Sequence, residues 1–177
     1  MATTTVPAVP FYSQFNDITS PTWKKAGCGI TSLAMIIDYY KTAVPVDTLL
    51  KQGLNNGAYI QNVGWSYKGL IDVSQQYGLD GDSYDLGTLT PTAAYTKMAA
   101  YLKNGPVIVS VHYKFDPKST IPHLVVLNGV DGGSLHYNDP AAKSGDKQIS
   151  IDDFLKGWKR RFIVLRPVVE KADTQTA

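Results

Sequence analysis

The stretch Ala26-Gly27-Cys28-Gly29-Ile30-Thr31-Ser32-Leu33-Ala34-Met35-Ile36-Ile37-Asp38-Tyr39-Tyr40 carries the strongest helical signal in the chain. Leu33, Ile36, Ile37 and Tyr40 recur at the spacing that places side chains on one face of a helix, which predicts a helix from Cys28 to Tyr40. Further helical signals follow it. Asp47 reads as the cap of a short helix ending before Gly53, and Ser66 to Gln76 presents Leu70, Val73 and Tyr77 on one face before Gly78 stops it. Thr90-Pro91 opens another helix with Tyr95, Met98, Ala99 and Leu102 inward, and Asn104-Gly105 closes it. The pattern then changes to short β-branched or aromatic runs bounded by turn residues: Pro106 to Tyr113, Leu124 to Val130, Ser134 to Asn138, Lys147 to Ile151 and Arg161 to Val168. A turn or two of helix fits Asp152 to Trp158, and Val6 to Gln14 reads as an extended entry or edge strand. Helices first and strands afterwards make a segregated α+β domain, N-terminal helices packed on a C-terminal antiparallel sheet.

The chain holds 177 residues, the length of one domain with enough interior to fold without disulfide or metal staples. Hydrophobic residues make up 44% and charged residues 18%, a globular composition. Seventeen basic side chains stand against fifteen acidic ones, and a net charge of +2 leaves no footprint for nucleic acid and no pull toward an anionic membrane. No apolar run reaches the ~18 residues of a membrane-spanning helix. The single domain is read over 6–168, between a disordered stub at 1–5 and a disordered polar tail or linker at 169–177. Residues 1–10 lack the basic and apolar regions of a signal peptide.

Cys28 is the single cysteine. It forms no internal disulfide, and no second cysteine accompanies it for a structural zinc site of the usual kind. It is a buried small hydrophobe or a working thiol, and its position favours the thiol. Gly27 and Gly29 let the backbone approach a ligand and turn sharply into the helix. A thiol at a helix N-terminus meets the positive end of the dipole and free N–H groups, which favour thiolate.

A nucleophilic thiol needs a base, and the histidines are His112, His123 and His136. His123 heads the strand Leu124 to Val130, where strand ends face clefts. The following strand ends in Asn138-Asp139-Pro140, a carboxylate for orienting an imidazole. A three-residue loop centred on Asp131 sets Val125 against Tyr137 and Leu127 against Leu135, matching apolar residues, and puts His123 directly opposite Asp139. A two-residue turn puts them on opposite faces, so the pairing requires the longer loop or a bulge. His136 reads as structural on the other face, and His112 is the reserve base.

Other features weigh less. Asp80, Asp82 and Asp85 suggest a calcium loop, but Pro91 stands where an EF-hand needs its last glutamate, and the stretch reads as a solvated turn. No two histidines share helical ligand spacing, so no metal is expected. Trp65, following Gly64 at a helix start, is a wall of the substrate cleft or buried packing. Trp158 and Phe154 read as core, and Lys159-Arg160-Arg161 as a solvated strand entry.

The ordered set Val-Pro-Phe-Tyr-Ser-Gln (9–14), Gly-Cys-Gly-Ile-Thr-Ser-Leu-Ala-Met (27–35), Gly-Pro-Val-Ile-Val (105–109), His-Leu-Val-Val (123–126) and Tyr-Asn-Asp-Pro (137–140) resembles the C39-like cysteine peptidases, a papain-fold family found largely in bacteria. The resemblance runs from about Val6 to Val168 and implies a papain-like fold. It implies Cys28 as nucleophile, His123 as general base, Asp139 as the residue that orients it, and Gln14 as an oxyanion-hole donor. Ile30 departs from the proline that relatives usually carry there. The implied function is a thiol hydrolase cleaving peptide or isopeptide bonds of a peptide or protein substrate. It needs no cofactor and acts as a monomer, with Trp65 and Gly27 beside the substrate. A papain-like acyl transferase or deamidase, or a non-catalytic binding or surface-interaction module on the same fold, is the alternative. Some relatives process bacteriocin leaders on transporters, and nothing in this chain resembles a transporter domain. Analogy with the family places the protein outside the cell or on its surface, with the cytoplasm as the other location.

Overall fold

Val107-Ile108-Val109 and Leu124-Val125-Val126-Leu127 are apolar at every position, so strands built from them need cover on both faces. The computed structural model describes residues 6–169. The stub expected at 1–5 and the tail beyond Val169 lie outside the described residues, and Val169 itself is exposed. In chain order the elements are α1 (Gln14–Asp17), α2 (Pro21–Lys24), α3 (Cys28–Tyr40), α4 (Val46–Asn55), β1 (Tyr59–Ile60), β2 (Gly64–Trp65), α5 (Tyr67–Gln75), β3 (Leu79–Asp85), α6 (Pro91–Leu102), β4 (Val107–His112), β5 (Pro122–Asp131), β6 (Ser134–Asn138), β7 (Lys147–Ser150), α7 (Ile151–Gly157) and β8 (Trp158–Pro167).

Six strands form one sheet in the order β3-β8-β4-β5-β6-β7, each antiparallel to its neighbours, and β1 pairs with β2 separately. Against one face, α3, α4 and α5 bury Leu33, Ile37, Leu49 and Leu70 with Ile108, Val126 and Leu165. Against the other, α6 and α7 bury Met98 and Phe154 with Val109, Leu127 and Phe162. The α+β class is as the sequence implies. The later helices α6 and α7 add a second layer, because strands that are apolar throughout leave two faces to cover.

The helix over Cys28–Tyr40 has the expected bounds. Ser66 caps α5 through Gly69 N at 2.8 Å, and Thr90 caps α6 through Ala93 N at 3.2 Å. The short helix near Asp47 differs: it starts after Pro45 and runs through Gly53 to Asn55. The Asp47 carboxylate is drawn away to Thr19, accepting from its N–H at 2.9 Å and its hydroxyl at 2.5 Å. Gly53 is retained inside the helix by close packing, since a Cβ there would meet Ile30 Cδ1 at 2.9 Å and Trp65 Cζ3 at 3.0 Å. Glycine normally costs a helix ~1 kcal/mol relative to alanine, and here packing outweighs it.

The stretch holding Asp80, Asp82 and Asp85 is not a solvated turn but the edge strand β3, paired with β8 along its whole length. Its residues have poor β-propensity, and the ladder with α5 beside it overrides that preference. Val6 to Ser13 is not a sheet strand; Pro7 and Pro10 lack the N–H a ladder needs, and side chains hold the segment instead.

The β5–β6 hairpin is closed by a two-residue turn, Gly132-Gly133, with Gly132 at φ +60°. Near the turn Val130 faces Leu135 and Gly129 faces His136; the register then shifts around Asn128, and Leu127 faces Tyr137. The expected three-residue loop is therefore wrong. The bulge supplies the missing step, because one extra residue reverses the parity of everything beyond it. His123 and Asp139 return to the same face, offset diagonally rather than directly opposite.

Candidate active site

Cys28 is the first residue of α3, so its backbone N–H has no intrahelical partner. The flanking glycines are dictated by packing. A Cβ on Gly27 would collide with Ile18 Cδ1 and lie 3.0 Å from the Trp23 carbonyl, and one on Gly29 would meet Trp65 Cγ at 2.8 Å. Gly27 does not line the cleft, contrary to its expected place beside the substrate. Trp65 is buried, donates from Nε1 to the Ala26 carbonyl at 2.6 Å, and is among the residues that line the cleft.

That cleft encloses about 680 Å³ and is lined by Cys28, His123 and Gln14 together with Tyr59, Trp65 and Tyr67. Phe15, Val63 and Ile121 also line it and are exposed, an apolar rim of the kind that marks a binding groove. His123 Nε2 meets Asp139 Oδ1 at 2.6 Å, which leaves Nδ1 outside the bond to the carboxylate. Oδ1 also accepts from Ala141 N at 2.8 Å, which fixes the carboxylate. The Tyr113 ring stands edge-on to the imidazole, 5.2 Å between centroids.

Burial on its own lowers the pKa of His123. The hydrogen bond to Asp139 and then the neighbouring Cys28 outweigh it and raise the pKa from 6.5 to about 9. A folded-state pKa above the unfolded one stabilises the charged form. The contribution is complete below 6.5 and lost as pH rises through about 9. Melting temperatures of the protein and of His123→Ala are expected to converge over that interval. A gap that stays constant contradicts this origin of the shift.

Gln14 is buried, its Nε2 donating to the Lys24 carbonyl at 2.8 Å while Oε1 has no partner. The Lys24 carbonyl orients the amide and leaves its second N–H available. The segment Asn138-Asp139-Pro140 assembles these parts. Asn138 Nδ2 donates to the Val9 and Pro10 carbonyls at 3.0 and 3.3 Å, Asp139 holds His123, and the Pro140 carbonyl accepts from Gln14 N at 2.8 Å. Tyr12 adds an anchor, donating to Asp38 Oδ2 at 2.6 Å, and its own pKa rises to about 12, chiefly through that bond. Sequence reasoning missed the role of Asn138, whose bonds to Val9 and Pro10 reach more than a hundred residues along the chain. Its Oδ1 also accepts from Asn128 Nδ2 and Asp146 N. Asn138→Ala leaves these groups unpaired and is expected to cost about 3 kcal/mol, or roughly 6–12 °C in Tm by thermal denaturation.

The other histidines stand apart. His112 bonds the Ser119 carbonyl through Nδ1 at 3.0 Å and does not line the cleft. His136 bonds Asp146 at 2.8 Å behind the N-terminal segment. The basic cluster is not simply a solvated strand entry. Arg160 donates to the Leu89 carbonyl at 2.6 Å, while Lys159 and Arg161 line the cleft.

A family model described as the peptidase C39-like family matches residues 6–162. The chain belongs to this family. Among solved structures, this C39-like chain is similar to a double-glycine-motif protease from an AMS/PCAT transporter in complex with the leader peptide. The two are 24% identical, covering 91% of this chain and 93% of that one, with a TM-score of 0.63. A C39-like peptidase from Bacillus anthracis is 21% identical over 92% of this chain and 96% of its own, with a TM-score of 0.64. The peptidase domain of Streptococcus ComA, a bi-functional ABC transporter of a quorum-sensing pathway, is 20% identical over 81% and 93%, with a TM-score of 0.61. A comparison with curated proteins gives no match. The fold is that of the papain-like C39 peptidase domains, and family and fold together support a cysteine peptidase as the general function. Among the described residues no helix is long and apolar enough to cross a membrane. The expected extracellular or cell-surface location has no support in the fold or in the family match.

Proposed function

We propose that this C39-like protein is a cysteine peptidase in which Cys28 is the nucleophile, His123 its acid–base partner and Asp139 the residue that orients the imidazole. The observation that carries the reading is the 2.6 Å bond between His123 and Asp139 beside a cleft that also holds Cys28 and Gln14. The peptidase domain is taken to run over 6–168, just beyond the family match. The leader peptide held by one similar structure supports a peptide as substrate, and the apolar rim fits one.

The Cys28 thiolate attacks the carbonyl carbon and forms the C–S bond, and the carbonyl oxygen takes the negative charge. The free N–H of Gln14 Nε2 and the backbone N–H of Cys28 donate to that oxygen. His123, as imidazolium, gives its proton to the leaving nitrogen while the C–N bond breaks. Neutral His123 then takes a proton from water, which hydrolyses the thioester and restores the ion pair. Gln14→Ala is expected to lower kcat ~10²–10³-fold, measured on a peptide the protein turns over.

Iodoacetamide labelling of Cys28, followed by intact mass at a series of pH values and beside His123→Ala, tests the reading. Fast labelling well below the ~8.5 of a free thiol, slowed in the variant, supports an activated pair. Labelling only near that value, or only after unfolding, means a resting cysteine and a binding module on the same fold.

A further inference from the structure

Lys159 and Arg161 sit where β8 departs from regular pairing. Ser110 of β4 pairs with Arg161, but the next residue, Val111, pairs with Trp158, so Lys159 and Arg160 are inserted between them, with Arg160 at φ +60°. Bulges of this kind re-aim side chains. Here Arg160 turns to the Leu89 carbonyl, and Lys159 and Arg161 both line the cleft. One row across the sheet reads Leu124, Ser110, Arg161, and all three line the cavity that holds Cys28 and His123. The Arg161 backbone is therefore about 10 Å from that of Leu124, next to His123 in β5, two strand spacings away.

No carboxylate among the described residues answers the two cations. Among the described residues neither makes a salt bridge or a side-chain hydrogen bond, although both are half-buried. Among the described residues no aspartate or glutamate lines the cleft, whereas Lys25 adds a third cation to it. Asp85 lies opposite Arg161 in the β3–β8 ladder, but its carboxylate turns to Gly87 N at 2.9 Å. Burial, and then the charge of Arg161, hold the Lys159 ammonium below its usual range, as expected of a cation with no anion beside it. Half-buried cations without partners are costly unless a ligand supplies the counter-charge.

We propose that Lys159 and Arg161 form a carboxylate-binding subsite, so that the cleft takes peptides with an acidic group near the scissile bond. The proposal rests on the peptidase reading above and adds a substrate class to it. The carboxylate comes from an Asp or Glu side chain or from the C-terminus of the peptide, and either would bridge the guanidinium and the ammonium.

Two thiol reagents test it, iodoacetate and iodoacetamide, which differ in charge and react alike, the thiolate displacing iodide. The iodoacetate-to-iodoacetamide rate ratio at Cys28, divided by the same ratio for glutathione, is expected to exceed one at low salt. It should fall roughly fivefold for each cation removed in Lys159→Gln and Arg161→Gln, and fall with added salt. Lys159→Gln, with its side chain outside the regular ladder, keeps the test valid if Arg161→Gln folds poorly. Reactivity toward both reagents with a ratio the variants do not change overturns the subsite alone. Inertness toward both overturns the peptidase reading and the subsite with it. Peptide mixtures then separate the sources: preference for Asp or Glu in C-terminally amidated peptides identifies a side-chain carboxylate, and preference for free over amidated C-termini identifies the terminal one. Equal cleavage of acidic, neutral and amidated peptides overturns the proposal.

Discussion

Cys28→Ala is expected to lower kcat by at least about 10⁴-fold, the scale on which loss of one member of a nucleophile–base–orienter set acts. The thiol is half-buried at the mouth of α3, and the apolar residues that seat this helix begin at Ile30, which is fully buried. Cys28 packs only against the edge of the core, so removing one sulfur leaves the fully buried residues in place, and the Tm should stay close to that of the unaltered protein. Turnover and thermal denaturation are to be measured on the same preparation. A variant that melts normally but still hydrolyses peptide at the original rate would remove the thiol mechanism altogether. The comparison also separates chemistry from binding, because a binding module keeps its affinity for peptide when the sulfur is gone.

The second large effect is expected at His123. His123→Ala should reduce kcat on a comparable scale, since it takes away both the partner that holds Cys28 as thiolate and the proton donor to the leaving nitrogen. It should also lower stability at neutral pH, because the Asp139 carboxylate loses its 2.6 Å partner and, among the described residues, keeps Ala141 N alone. His112→Ala is the matched control. His112 lies outside the cleft with Nδ1 bound to the Ser119 carbonyl, and most of the activity should survive its loss. The two variants are to be compared by kcat and KM on one peptide substrate. If His112→Ala proves the more damaging, the assignment of the base is reversed.

Local chemistry made much of the fold legible. The bounds of α3 follow from an apolar stripe that ends where the stripe ends, and Ser66, Thr90 and Gly105 mark helix ends by capping and turn preferences that act over a few residues. The edge strand β3 is not legible in the sequence, for the opposite reason. Its aspartates carry turn propensity, and only the ladder to β8 makes the segment extended. Helix α4 likewise runs past Gly53 because the Ile30 and Trp65 side chains, distant in sequence, need the space that a side chain would fill.

The candidate site divides along the same line. Residue types and their order single out Cys28 at a helix start, His123 at a strand start, and Asp139 after a strand end. Their meeting depends on the hairpin, and there the sequence permits more than one answer. Gly132-Gly133 accepts a two-residue turn as readily as a place in a longer loop, and only the packing of Val130 on Leu135 and Leu127 on Tyr137 selects the short turn with a bulge at Asn128. A shift of one residue moves every side chain to the other face, so the bulge decides whether the imidazole and the carboxylate touch. The same holds for Lys159 and Arg161, which read as a solvated run of charge until β4 pairs with β8 and extrudes the intervening residues. Periodicity, caps and residue chemistry act between neighbours and are written in the chain; register and bulges come from cross-strand packing between segments far apart in it, and those only the folded protein decides.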